Sequence, residues 1–261
     1  MNKKYEFTDE KRIFLGHTLY LIRACRDIGH HKAGWIGGWI ESEANLSQDG
    51  ECWIVPGCIV MGDAQVTGDA VIGADSIVSE CAKVSGKAIV FGSTVTDHAG
   101  IYDEAYIHNS HVGGTSLIDG KANVRTSIIE CSNMHGETWI DSSQVIGSIL
   151  GENTRLIGSR ITHCTMSGGQ YYKTSMNRFS APENACYSDN DTLDAHLSLI
   201  VCDIIKGDYG SLTYCPEKKV WYLDHERYLS RWLKNMIKKR FPDKIEAFNA
   251  WAEKMNIKVV I

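Results

Sequence analysis

The feature that most limits what this chain can fold into is a short repeat running from Cys52 to Met166: a small residue, any residue, then an aliphatic one. It begins at Cys52-x-Ile54 and Cys58-x-Val60 and continues through Ala64-x-Val66, Ala70-x-Ile72, Ser76-x-Val78, Ala82-x-Val84 and Ala88-x-Val90. Steps of six carry it to Thr94-x-Thr96 and Gly100-x-Tyr102. Five-residue steps then enter, as between Ala105-x-Ile107 and Ser110-x-Val112, and from Ala122 onward the period is 16. A small-x-aliphatic triplet is a very short strand with two inward side chains, and glycines such as Gly62, Gly68, Gly86 and Gly92 permit a sharp corner after it. Hairpins would need turn residues after every second strand, whereas here a turn signal follows every five or six residues. The 21 triplets therefore predict a mainly β fold: a three-sided, single-stranded parallel β-helix of about seven coils over residues 52–169.

An open β-helix end exposes unpaired backbone, so residues 1–51 are expected to form an N-terminal cap, with His17–Ala24 as a strand. After Gly168-Gly169 the pattern stops, and Gln170 to Asp194 reads as loop. Residues 170–261 are then expected to hold a small α+β domain of two strands, Leu197–Ile205 and Ser211–Leu223, and two helices. The first helix would carry Tyr228, Leu229, Trp232, Leu233, Met236 and Ile237 on one apolar face. Asp243 would cap the second, which bears Ile245, Phe248, Trp251 and Met255.

The 27 basic residues against 32 acidic ones, net −5, provide no global basic field for nucleic acid. No apolar run is long enough to span a bilayer, and the residues from Met1 lack a signal peptide's apolar core, so a cytoplasmic protein is expected. The nine cysteines include no Cys-x-x-Cys and no zinc-finger spacing, so neither a disulfide framework nor a metal site is indicated. His108 and His111 lie near one turn, but no third ligand stands at a suitable spacing.

Equivalent positions of successive coils stack about 4.8 Å apart, so spacing alone assigns side chains to faces. The middle residue of each triplet points outward. On the first face these are Trp53, Val71, Ile89, Tyr106, Asn123, Trp139 and Arg155. The second face carries Ile59, Ile77, Val95, His111, Ile128, Gln144 and Arg160, and the third Gln65, Lys83, Ile101, Leu117, Asn133, Ile149 and Thr165. Apolar stripes on two faces need partners: the cap for one, a second subunit for another, most simply in a homotrimer. At the corners His108, Arg125 and Asp141 stack, Asp103, Asp119 and His135 stack, and Glu80 falls below His98. His108 and His135 are the candidate general bases, with Asp119 as an orienting carboxylate. His108, His111, Tyr106, Arg125 and Asp141 are the candidate ligand-binding set. Against these stands a plain surface ladder of opposite charges, with His111 an interface residue. Arg23, Arg26, His30 and His31, just before the glycine-rich stretch, read as a solvated loop, with anion binding as the alternative.

The stretch Gly37-Gly38-Trp39-Ile40-Glu41, Asn45-Leu46-Ser47 and Gly50-Glu51-Cys52-Trp53-Ile54 resembles the leading segment of the YdcK-like branch of hexapeptide-repeat proteins, found in enteric bacteria and phage. The resemblance covers roughly residues 15 to 110. It implies a left-handed helix and a trimer, and it brings a transferase label that rests on fold. Hexapeptide acyltransferases use a histidine at the subunit cleft. This chain departs from the commonest wording, because glycine falls two places after the aliphatic residue, and the Gly-Asn-Pro-Ala stretch of the acetyltransferases is absent. The combined expectation is an oligomeric binding protein, in a phage or prophage setting. It would hold a host protein or a small anionic, nucleotide-like ligand at inter-subunit clefts without turnover and without a cofactor. The alternative is an acyl-CoA-dependent acyltransferase with a cleft histidine as general base.

Overall fold

A computed structural model describes residues 3–29, 31–188, 192–208, 210–224 and 226–259. The chain is mainly β: a parallel β-solenoid of three parallel sheets and about nine turns, followed by an antiparallel sheet and two helices. It divides into two compact units, Met1–Asp141 and Ser142–Ile261. No helix among the described residues is long and apolar enough to cross a membrane.

In the first unit, Trp53, Val71, Ile89, Tyr106, Asn123 and Trp139 stand in register, one per coil, on the first face. Behind them Ile54, Ile72, Val90, Ile107, Val124 and Ile140 are wholly buried. Outward and inward side chains alternate because strand residues point to opposite faces, and a single-stranded solenoid buries only one of them.

Corner length decides which small residue opens each strand. Where the step to it is six, alanine is common. Where it is five, the position holds Ser93, Ser110, Ser127 or Ser132, and each hydroxyl donates to the carbonyl two residues back, on Phe91, His108, Arg125 and Glu130. Ser116 and Thr138, reached by six, reach back three residues instead, to Gly113 and His135. The hydroxyls also accept from the next coil, Ser110 N–H to Ser93 Oγ at 3.0 Å and Ser127 N–H to Ser110 Oγ at 3.1 Å. A short corner leaves a buried N–H without a coil partner, and serine supplies one.

This rule corrects the expected register. The first five-residue step comes at Ala88 to Ser93, so Val95 and Ile101, expected outward, are inward and wholly buried. Thr94 and Gly100 take their outward places, paired with Ile77 and Lys83. Uninterrupted hexads would have put Thr96 and Tyr102 into the core, and burying the two aliphatics outweighs keeping the period.

The cap is an antiparallel sheet of Tyr5–Phe14, His17–Ala24 and Ile36–Ile40, and its last strand pairs in parallel with Ile59 and Val60 of the first coil. Leu19 and Phe14 pack over Ile59, Met61 and Ile77, so the cap covers the start of the second face. Polar side chains satisfy the open end: Asn45 Nδ2 donates to the Gly62 and Ala64 carbonyls, and the buried Lys4 ammonium to those of Asp49 and Cys52.

The second unit corrects the expected end of the helix. Gln170 to Asp194 is not a loop. It forms further coil strands, Gly169–Tyr172, Ser175–Asn177, Ser180–Ala181, Cys186–Ser188 and Thr192–Asp194, which raises seven coils to about nine turns. Tyr171, Met176, Ala181, Tyr187 and Leu193 take the inward places. Wide aromatics there break the small-x-aliphatic wording without breaking the geometry. Four antiparallel strands follow rather than two: Ile200–Lys206, Ser211–Cys215, Val220–Leu223 and Glu226–Leu229. The turn that the sequence places at Pro216 to Lys219, inside the expected second strand, is there and divides it in two, with Lys219 at φ 57°. Helices Ser230–Arg240 and Ile245–Lys254 close on this sheet around Trp221, Leu233, Ile237 and Phe248. Tyr228 and Leu229, expected in the first helix, end the preceding strand, and Trp232 is 53% exposed under Arg231 rather than on the buried face.

Candidate functional site

The first face of the first unit carries the densest group of expected site residues. Phe91, His108, Arg125 and Asp141 stand in register at its edge, beside the column of Ile89, Tyr106, Asn123 and Trp139. Gly73 sits one coil before Phe91, where a side chain would strike the phenyl ring, so the ring lies down on that coil. The His108 imidazole stacks on Phe91 at 5.9 Å and on Tyr106 at 6.0 Å between centroids. Arg125 lies over two rings, Trp139 at 4.9 Å and Tyr106 at 5.7 Å. Its Nε donates to Asn123 Oδ1 at 2.9 Å, which fixes the guanidinium plane, while its two terminal nitrogens have no partner among the described residues. The result is a flat, half-exposed platform of π faces around a held cation, with free donors suited to a planar anion.

Of the expected ligand set, this face unites Tyr106, His108, Arg125 and Asp141. His111 does not join it. It belongs to the second face, as the spacing places it, and its Nε2 meets Glu130 Oε1 at 2.9 Å. Sequence reasoning passed over Glu130. The signal was Gly113, paired with Glu130 one coil on, since a Cβ at Gly113 would meet both Glu130 Oε1 and His111 Nε2.

His135 lies at a different corner, following the third-face strand Asn133–Met134. Its Nδ1 meets Asp119 Oδ1 at 2.9 Å and Oδ2 at 3.0 Å, leaving Nε2 for proton exchange. The residue level with them is Tyr102 rather than the expected Asp103: the Tyr102 N–H bonds the Ile118 carbonyl as the Asp119 N–H bonds that of Met134. Asp103 falls at the next position, where its Oδ2 accepts from Gly120 N–H at 3.1 Å. The same slip leaves Glu80 opposite Asp97 and forms no ion pair between Glu80 and His98 among the described residues. The two candidate bases thus stand on separate corners and cannot act on one substrate atom within one chain. His108 has rings around it and no carboxylate partner among the described residues.

In the cap, Arg23 pairs with Glu6 and Arg26 with Glu51, so neither guanidinium awaits an anion; His31 stacks flat on Trp35, and His30 lies outside the described residues. All nine cysteines are free thiols. Burial pushes the Cys52, Cys58 and Cys164 thiols up and that of Cys186 to about 12, so none of these four is a thiolate nucleophile at neutral pH.

No known family profile matches the chain. Its sequence is 28% identical over 131 residues to the pesticidal crystal protein Cry1Ab of Bacillus thuringiensis, in the subspecies kurstaki, berliner and aizawai. That alignment takes in 49% of this chain and spans 11% of the length of those curated relatives.

Proposed function

We propose that this protein is an oligomeric β-solenoid binding protein, working in the cytoplasm, whose first face holds a planar, anionic, nucleotide-like ligand without turnover. The observation that carries this reading is Arg125, oriented by Asn123 and laid over Tyr106 and Trp139 with both terminal nitrogens unspent. A base stacks on such rings at about 1–3 kcal/mol each, and a guanidinium grips a phosphate through two parallel bonds. Resemblance to the YdcK-like hexapeptide-repeat proteins supports a trimer, in which a neighbouring subunit would turn this open platform into a cleft. Calorimetric titration with ATP and AMP tests the reading. Binding is expected to weaken at least about tenfold in Arg125→Ala and to stay weak in Arg125→Lys, which keeps the charge and loses the fork. No heat from either nucleotide, or equal affinity in Arg125→Ala, overturns it.

A second reading draws on the His135–Asp119 pair, whose geometry is that of a general base held by a carboxylate. In an acyl-CoA-dependent acyltransferase the His135 Nε2 would take the acceptor's proton, leaving the thiol of CoA as the product to detect. Thiol release from acetyl-CoA that disappears in His135→Ala and falls in Asp119→Asn would favour it.

A further inference from the structure

A cavity of about 220 Å³ opens where the cap meets the first coils, and no residue of the Arg125 platform or of the His135–Asp119 pair lines it. Two aromatic residues line it. These are Trp53, 2% exposed, and His31, which is held flat against Trp35 at 3.4 Å, with Trp35 in turn stacked on Trp53 at 5.8 Å. Ile28 and Val71 add apolar surface, and the charged lining is Glu51 and Asp69, with no lysine or arginine among the lining residues. Glu51 is held in place by Arg26 and by the Gly29 N–H, each at 2.9 Å, and Arg26 keeps its carboxyl below the usual carboxylate range. Asp69 accepts the Glu51 N–H through Oδ1 at 3.0 Å, and its Oδ2 has no partner among the described residues.

We infer that this cavity is a binding site for a small organic ammonium ion, held beside the Trp53 and His31 rings and the Asp69 carboxylate. A cation gains from both π faces and from the free carboxylate oxygen, whereas an anion meets only like charge. At about 30 Å³ per water, the space equals roughly seven waters, which limits the ligand to the size of choline or a short alkylamine. The site does not depend on the Arg125 platform.

Calorimetric titration with choline chloride tests this, against its uncharged isostere 3,3-dimethyl-1-butanol and against sodium acetate. Choline is expected to bind one per chain, at least about tenfold tighter than the isostere, with acetate silent. Asp69→Asn and His31→Ala should each weaken choline about threefold or more, and Val71→Phe, which fills the cavity, should abolish binding while circular dichroism shows an unchanged fold. Arg125→Ala should leave it intact. Absence of heat from choline at tens of millimolar, equal binding of the isostere, or undiminished binding in a folded Val71→Phe protein overturns the inference.

Discussion

Ser110 shows how much one residue can carry in this architecture. Its hydroxyl donates to the His108 carbonyl at 2.8 Å, closing a five-residue corner, and accepts the Ser127 N–H from the next coil at 3.1 Å. Ser110→Ala leaves that buried N–H unsatisfied and should cost about 1–3 kcal/mol in urea unfolding, where the same change at an exposed residue such as Thr126 costs far less. Gly113 is the second such position. Gly113→Ala places a methyl against the ends of His111 and Glu130, two side chains that can swing away, so stability should hold while the His111–Glu130 contact is lost, visible as changed His111 ring shifts in NMR. The column of His108, Arg125 and Asp141 was legible in the sequence because stacked coils turn a spacing of 16 or 17 into contact. Glu130 was not, since its partner lies at an offset of 19: it stands two residues beyond Ile128, the residue paired with His111.

Among elements, Glu41 is one of the polar groups that tie the cap to the first coil. Its Oε2 accepts the Gly62 N–H at 2.7 Å and meets His17 Nδ1 at 2.9 Å, and these bonds, the first foremost, hold its carboxyl below the ordinary glutamate value of 4.5. A carboxylate depressed by folding contributes stability above its unfolded value and loses it as pH falls through the folded one. Protection of the Gly62 amide, taken relative to its intrinsic exchange rate at each pH, should therefore be high at neutral pH and fall below about pH 4.5, with Glu41→Gln poorly protected throughout; an amide indifferent to both changes would show that the cap is held otherwise. The cap strand and solenoid core were legible as elements because alternation and the small-x-aliphatic triplet are local signals. The last coils were missed because Tyr171 and Tyr187 fill inward places that the triplet reserves for aliphatics, and a widened core has no local signature.

For the whole molecule, the charge balance and repeat leave apolar residues on outward faces: Ile89 and Phe91 on the first, 38% and 43% exposed, and Ile128 on the second, 45% exposed. Such residues in rows on flat sheet faces favour self-association. Sedimentation at micromolar concentration should show an oligomer, a trimer by the resemblance, and Ile128→Asp should shift it toward monomer; a wild-type monomer would remove the inter-subunit cleft from the proposed function. By itself the sequence determined the solenoid from Cys52 to Met166 and most of its inward residues there, because the period of side-chain direction in a strand is fixed by covalent geometry and burial enforces it coil after coil. Only the tertiary structure decided which outward groups meet. Arg125 over Tyr106 and Trp139, His111 against Glu130, and His31 beside Trp53 at one cavity depend on side-chain directions that coil spacing leaves open and on a cap loop that folds back. A slip of one residue, as from Ser93 to Tyr102, alters the outward contacts until the register returns at Ala105, while leaving the local pattern unchanged.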